Sequence, residues 1–388
     1  MLFKNVKLQS LAGIYIHIPF CKQACTYCNF HFSTNFKQKD AFLTALKKEI
    51  SLQTDFISSD EVIETIYFGG GTPSLLSSDE LSNIIETLQQ KFTISSDAEI
   101  TIEANPDDIT TAVVKEWMLS GINRLSLGVQ SFFDEELTWM NRAHNATHAN
   151  KSINDILSAG ITDFSVDLIF GSPLLSDAIL EQNINIIINK NIPHISCYAL
   201  TVENKTALQK FIETKKTNPI DVEKQASQFL LIMDKLIDAG YEHYEISNYA
   251  KPGMRSKHNS SYWQGKSYYG FGPSAHSFNG KNIRRWNVSN NAIYIKQLAE
   301  NIIPSEEELL TKTQEINEYI MTALRTTKGI QTAFFAERFG DENSKLLLKH
   351  CNKYVLTGKI RVNDNLEVSL TREGKLFADG IAADLFFE

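Results

Sequence analysis

Over the first 250 residues, short runs of apolar positions alternate with longer stretches in which apolar residues recur every three or four places. The short runs, at 13–19, 63–69, 98–104, 124–130, 164–170 and 194–200, are rich in Ile, Val, Tyr and Phe, and several are apolar on both faces. That pattern predicts buried parallel strands. The stretches at 40–53, 79–92, 111–120, 149–159, 180–190 and 222–239 have the period of amphipathic helices. Their ends carry physical signals. Ser77 with Glu80 predicts a capping box. Gly121, Gly160 and Gly240 stand where the backbone must turn left-handed after a helix. Six strand–helix units in series predict a parallel α/β sheet, either open and doubly wound or barrel-like. No glycine-rich dinucleotide turn follows the first strand, and a cysteine loop stands there, which favours an incomplete (β/α)6 TIM-like barrel. In either architecture, polar residues at the C-terminal ends of the strands read as the site.

After residue 250 the pattern changes. Residues 251–280 are rich in Gly, Ser, Asn, Tyr and Trp and read as irregular surface. The chain therefore divides into a barrel at 1–250, a connecting or lid segment at 251–304, and a small helical, winged-helix-like domain at 305–388. In that last part the pattern predicts a long helix over 306–326, two shorter helices, a hairpin through Val362-Asn-Asp-Asn365, and a final helix.

Composition narrows the function. A net charge of −8, with no notably basic helix near the C-terminus, argues against nucleic acid as a partner. No apolar stretch approaches the length of a membrane span. The first twenty residues do not read as a signal peptide, since their apolar run holds His17 and Pro19 and lacks a small-residue cleavage site. A cytoplasmic, reducing setting is expected. There, clustered cysteines are ligands or catalytic groups more often than disulfides.

Three of the chain's five cysteines, Cys21, Cys25 and Cys28, fall within eight positions after the first strand. Cys197 and Cys351 are isolated and read as ordinary buried cysteines. Thiolates at this spacing suit zinc or an iron–sulfur centre. Zinc wants a fourth ligand, for which His17 and His31 are at hand, but the paired spacing of structural zinc sites is missing. A cubane held by three thiolates leaves one iron open for an outside ligand.

The C-x3-C-x2-C spacing closely resembles that of the radical S-adenosylmethionine (SAM) enzymes. Tyr15-Ile-His-Ile-Pro-Phe-Cys21, Gly69-Gly-Gly-Thr-Pro73, Glu103-Ala-Asn-Pro106, Gly128-Val-Gln-Ser131 and Asp167-Leu-Ile-Phe-Gly171 follow in that order. Together they resemble the anaerobic coproporphyrinogen III dehydrogenase branch of that superfamily. The resemblance runs through nearly the whole chain. It implies a 4Fe–4S cluster on Cys21, Cys25 and Cys28. It also implies SAM contacts at Tyr15, Gly70, Gly71, Thr72, Glu103, Gln130, Arg142 and Asp167. The residues alone add that glycines let backbone approach a ligand closely. They also add that lone polar groups at the same end of consecutive strands look like a built pocket.

Two features separate the chain from the dehydrogenases. Phe30 stands where they carry a fourth cysteine, and the chain is shorter than they are at its N-terminus. His258-Asn-Ser-Ser-Tyr-Trp263 fits the H-N-x-x-Y-W motif of a related group, the radical-SAM haem chaperones. That resemblance implies haem as a third cofactor, with contacts at His258, Asn259, Tyr262 and Trp263. It implies delivery to a client respiratory haemoprotein, with an electron donor and transient contact with a membrane protein as further partners. A neutral imidazole is a good haem ligand, although a lone histidine is more often structural. Two alternatives stay open. One is radical decarboxylation of coproporphyrinogen. The other is a radical-SAM reaction on an unrelated substrate, with the His258–Trp263 segment as a lid.

Overall fold

The computed structural model describes residues 11–53, 56–57 and 61–388. Half of the leading stretch weighed as a signal peptide lies outside the described residues. Six parallel strands follow in sequence order: β1 (Leu11–Ile18), β2 (Val62–Gly70), β3 (Ile94–Ala104), β4 (Arg124–Gln130), β5 (Phe164–Phe170) and β6 (His194–Ala199). The sheet continues past β6 through β7 (Glu242–Glu245) and β8 (Asn248–Ala250), with β8 in the middle and both pairings antiparallel. On the other side β9 (Tyr268–Phe271) lies parallel to β1. Beyond it, β10 (His276–Phe278), β11 (Ile283–Asn287) and β12 (Ser305–Leu309) run antiparallel. The twelve strands form one open, mixed sheet.

The six central strands alternate more strictly than the sequence suggested. Ile14, Ile16, Phe68, Ile102, Leu125, Leu127, Val166 and Leu168 are buried in the main core with the helices. The opposite, inner face is polar along ladder rows that the register fixes. One row is Gly13, Thr65, Glu99, and the next is Tyr15, Tyr67, Thr101, Arg124. The row above is Glu103, Ser126, Ser165, His194, followed by Asp167 and Ser196. Thr65, Glu99, Thr101, Arg124, Ser126, Ser165, His194 and Ser196 are all buried. The strands are thus buried on both faces, as their apolar content predicts, but the inner face is polar.

The capping box at Ser77 and Glu80 is present, and Gly121, Gly160 and Gly240 have φ of 101°, 103° and 85°. The expected helix at 306–326 divides. Ser305–Leu309 is strand β12, and the helix is Lys312–Leu324. The reason is cross-strand charge. Arg284 and Arg285 on β11 face Glu308 and Glu307 on β12, and Arg285 Nε donates to Glu307 Oε1 at 2.8 Å. Thr311 and Gln314 then form a capping box that starts the helix afresh.

Residues 251–280, expected to be irregular surface, hold the helix Lys257–Trp263 and the strands β9 and β10, and the rest of the connecting segment to 304 holds β11 and the helix Asn291–Ala299. The C-terminal part has its own core around Ile320, Phe335, Leu347 and Val368. Its wing is the hairpin β13 (Ile360–Val362) and β14 (Val368–Leu370). It joins the barrel through Ile246 N–H to Arg325 O and Thr327 N–H to Tyr244 O.

Candidate functional site

The loop after β1 and the C-terminal ends of β2 to β6 enclose a cavity of about 450 Å³, within the size range of small-molecule sites. Cys21, Cys25 and Cys28 all line it, with Phe30 and Tyr198 at its border, 67% and 43% exposed. The loop is anchored by backbone hydrogen bonds. Gly71 N–H donates to Ile18 O at 2.8 Å, Thr72 N–H to Phe20 O at 2.7 Å, and Thr26 N–H to Met140 O at 3.1 Å. The glycine run serves this approach as much as any ligand. A Cβ on Gly71 would lie 2.6 Å from Phe20 O, and one on Gly70, whose φ is +102°, would lie 2.5 Å from the His17 ring.

The zinc alternative fares poorly here. His17 Nε2 bonds His31 O at 2.8 Å, and His17 Nδ1 lies 3.2 Å from Tyr15 Oη. His31 Nε2 bonds Asn291 Oδ1 at 2.7 Å. Neither ring lines the cavity. Burial pushes the Cys21 thiol up to about 11 and raises that of Cys28 as well. Both would give up their protons to a bound metal centre.

The same cavity gathers most of the groups that sequence reasoning assigned to the cofactor. Gly70, Gly71, Thr72, Glu103, Gln130, Arg142 and Asp167 all line the cavity. Tyr15 does not. It sits one layer lower on the inner face, stacked on Tyr67 at 6.2 Å. Arg142 is the hub of the wall. Its guanidinium donates to Cys25 Sγ at 3.3 Å, Tyr27 Oη at 3.5 Å, Asn105 Oδ1 at 2.6 Å and Gly128 O at 2.8 Å. Gln130 holds a left-handed φ of +65° without being glycine, a strained conformation of the kind that clusters at functional sites. Glu103 accepts from Tyr67 Oη at 2.8 Å and from Gly70 N–H at 3.2 Å.

Two buried polar atoms of these residues, Asp167 Oδ1 and Arg142 Nε, have no partner among the described residues. An unmatched acceptor and an unmatched donor suit a ligand carrying both an ammonium and a carboxylate. The residues present therefore fit an amino-acid-bearing cofactor such as SAM beside a thiolate-held cluster.

Burial pushes the Glu103 carboxyl up to about 7, with the Asp167 charge adding to it, and burial also raises Asp167 to about 6. A raised folded-state value means a contribution to stability that is complete below the ordinary carboxylate range. It is lost as pH rises through the folded value. The stability of the ligand-free protein relative to Glu103→Gln is therefore expected to fall from about pH 4.5 to about pH 7. Denaturant unfolding of both proteins across that window checks it, and a flat or rising difference contradicts it.

The segment expected to contact haem lies elsewhere. The helix Lys257–Trp263 packs against β1 and β2, on the inner face below the cavity. His258 is 2% exposed. Its Nδ1 lies 2.8 Å from Thr65 Oγ1 and its Nε2 3.1 Å from Tyr262 Oη, and its ring stacks on Tyr67 at 4.8 Å. Asn259, Tyr262 and Trp263 are half-buried, and none of the four lines the cavity. Tyr27, Asn105, Ser126, Gly128 and Tyr198 do line it without having been singled out as contacts. Asn105 and Gly128 sit inside quoted motifs. Ser126 follows from the period-2 alternation of β4, and nothing local marks Tyr27 or Tyr198.

The profile of the Radical SAM superfamily matches residues 15–187, and that of the HemN C-terminal domain matches residues 310–377. The chain is 34% identical over 374 residues to the haem chaperone HemW of Bacillus subtilis, covering 96% of this chain and 98% of that protein. It is 35% identical over 278 residues to HemW of Escherichia coli, covering 70% and 71%. Among solved structures, the coproporphyrinogen III oxidase HemN of Escherichia coli, titled a radical SAM enzyme, superposes with a TM-score of 0.82. That match is at 22% identity and covers 97% of this chain and 90% of that one, a likeness of fold. The polar inner face, the three-thiol loop and the winged C-terminal part thus meet in one lineage, and the chain belongs to the HemW family of radical-SAM proteins.

Proposed function

We propose that this chain is a haem chaperone. In this reading Cys21, Cys25 and Cys28 hold a 4Fe–4S cluster, and the adjoining cavity takes SAM. Haem is bound and passed to a client haemoprotein. The observation that carries the cofactor half is the cavity itself, lined by three thiols together with Asp167 and Arg142, whose Oδ1 and Nε have no partner among the described residues. Kinship to the HemW proteins supports the chaperone half. Arg142 would meet a carboxylate while Glu103 and Asp167 meet positive charge. The cysteine loop would present thiolates to iron, and the strand ends would exclude water. When bound, SAM supplies radical chemistry, and whether this chain consumes it is a separate property. The client would be a respiratory haemoprotein, met in the cytoplasm or transiently at a membrane, with an electron donor for the cluster. Among the described residues no helix is long and apolar enough to cross a membrane.

Haem contact through His258 requires the helix Lys257–Trp263 to withdraw from the barrel, because both ring nitrogens are already partnered. The exposed rings of Phe30 and Tyr198 at the cavity border need no such movement. Each offers an exposed aromatic face on which a porphyrin can pack. An anaerobic haem titration of the cluster-reconstituted protein tests the reading. Saturable binding of one haem per chain is expected, weakened by Phe30→Asp. Absence of saturable binding would refute the chaperone reading. The fold is also that of a porphyrinogen decarboxylase, and consumption of coproporphyrinogen with SAM by the same preparation would favour that alternative.

A further inference from the structure

The space beneath the cavity is filled by the seven-residue helix Lys257–Trp263, and its fastening is unusually complete. The Glu99 carboxylate on β3 accepts from Lys257 N–H at 2.8 Å and His258 N–H at 2.9 Å. The Ser256 hydroxyl caps Asn259 N–H at 3.2 Å. Gly13 on β1 leaves room for the Thr65 hydroxyl that meets the imidazole, since a Cβ there would sit 2.9 Å from Thr65 Oγ1, while its 3.6 Å to the His258 ring would be ordinary contact. At the far end, the Arg325 guanidinium lies over the Trp263 ring at 5.3 Å. The Arg325 carbonyl accepts from the barrel's Ile246 N–H at 3.0 Å. The segment is thus clamped between the barrel's inner face and the C-terminal domain.

What it touches there is the support of the cavity. The His258 ring lies nearly parallel to Tyr67, at 4.8 Å and 18°. The Tyr67 hydroxyl donates to Glu103 Oε1 at 2.8 Å, and Glu103 Oε2 receives the Gly70 amide at 3.2 Å. His258, Tyr67, Glu103 and Gly70 form one contiguous stack from the floor of the barrel to the cavity wall. Among the described residues the rings stacked on Tyr67 are His258 at 4.8 Å and Tyr15 at 6.2 Å, so His258 is the nearer, and it is itself fixed at both nitrogens.

We propose that His258 is a positioning residue for the SAM site: as an interior strut it sets the Tyr67 ring, and through it the Glu103 carboxylate and the Gly70 amide. This rests on the reading of the cavity as a SAM site. It gives the His258–Trp263 motif a role that needs no contact with haem.

The test is equilibrium SAM binding to the anaerobically reconstituted chain, with iron content measured alongside. It is paired with hydrogen exchange of the Gly70 amide in protein free of cluster and SAM. Tyr67→Phe and His258→Ala are each expected to weaken SAM binding about tenfold, the scale of one well-placed hydrogen bond to a charged group. The double variant should be within about twofold of either single one, because both break the same stack. Gly70 exchange should quicken in both. His258→Phe keeps a ring against Tyr67 but loses the bonds of both nitrogens that fix it, so its SAM affinity should fall between those of the parent and His258→Ala. Normal SAM affinity in His258→Ala at full iron content overturns the proposal, as do multiplicative effects in the double variant. If His258→Ala does not fold, unchanged Gly70 exchange in Tyr67→Phe overturns it, and so does loss of SAM affinity well beyond tenfold in His258→Phe at full iron content. Failure of the parent protein to bind SAM would instead overturn the reading of the cavity.

Discussion

Gly71→Ala is expected to dislodge the cysteine loop and leave the protein unable to retain iron. The added methyl would sit 2.6 Å from Phe20 O, 2.7 Å from Ile18 O and 2.9 Å from Phe20 N. All three are backbone atoms, so no side-chain rotation relieves the overlap. The strands must part, and with them go the 2.8 Å and 2.7 Å hydrogen bonds from Gly71 and Thr72 that carry the loop. Overpacking of this kind costs about 1–3 kcal/mol. The functional loss should exceed the stability loss, because the thiols sit on the displaced segment. Iron retained after anaerobic reconstitution, measured beside the unfolding free energy, checks this. Full iron retention in a folded Gly71→Ala protein would contradict it. Gly160→Ala is the contrasting control. No atom lies within 4 Å of the position a Cβ would take there, so only the backbone strain at φ +103° remains, and iron retention should be unaffected.

Arg142→Met is expected to disable the cofactor site by a second route. The guanidinium bridges the cysteine loop, through Cys25 and Tyr27, to the ends of β3 and β4, through Asn105 and Gly128. Methionine fills much of the volume but leaves four part-buried acceptors, on Cys25, Tyr27, Asn105 and Gly128, without their donor, each net hydrogen bond being worth about 0.5–1.5 kcal/mol. It also removes the positive charge that would meet a carboxylate. Charged hydrogen bonds of about 1.5–3 kcal/mol translate into a loss of SAM affinity of roughly a hundredfold. Arg142→Lys restores the charge but not the planar fork that reaches several partners at once, and should fall between. SAM affinity measured on reconstituted protein decides, and parent-like binding by Arg142→Met would place the ligand carboxylate elsewhere.

Much of this architecture is legible from the chain because its signals are local. Gly121, Gly160 and Gly240 end helices where the pattern places them, and Ser77 with Glu80 starts one. The six strands and the thiol loop follow from period and spacing. The division of 306–326 was not legible. A run of three glutamates has good helix propensity, and only the opposing arginines of β11 turn it into a strand. That contact is distant in sequence, although Thr311 with Gln314 carried a readable restart signal.

The role of His258 was hidden for the same reason. Its environment comes from Gly13, Thr65, Tyr67 and Glu99 on the first three strands, which no local pattern links to residue 258. The polar inner face was half visible. In Arg124–Gln130 every residue on the inner side is polar or glycine, and in Phe164–Phe170 Ser165 and Asp167 are polar while Ile169 is not. Their apolar partners dominate the eye, and with them the impression of a uniformly greasy strand.

The central claim is delivery of haem, and one measurement meets it head-on. The reconstituted, haem-loaded chain is mixed anaerobically with an apo-haemoprotein, and formation of the holo-protein is followed by absorbance. The account predicts transfer from the chain faster than uptake from a denatured-chain control, with no carbon dioxide released when coproporphyrinogen and SAM replace haem. Haem that never binds or never leaves, together with carbon dioxide release from coproporphyrinogen, would contradict it and make this chain a decarboxylase.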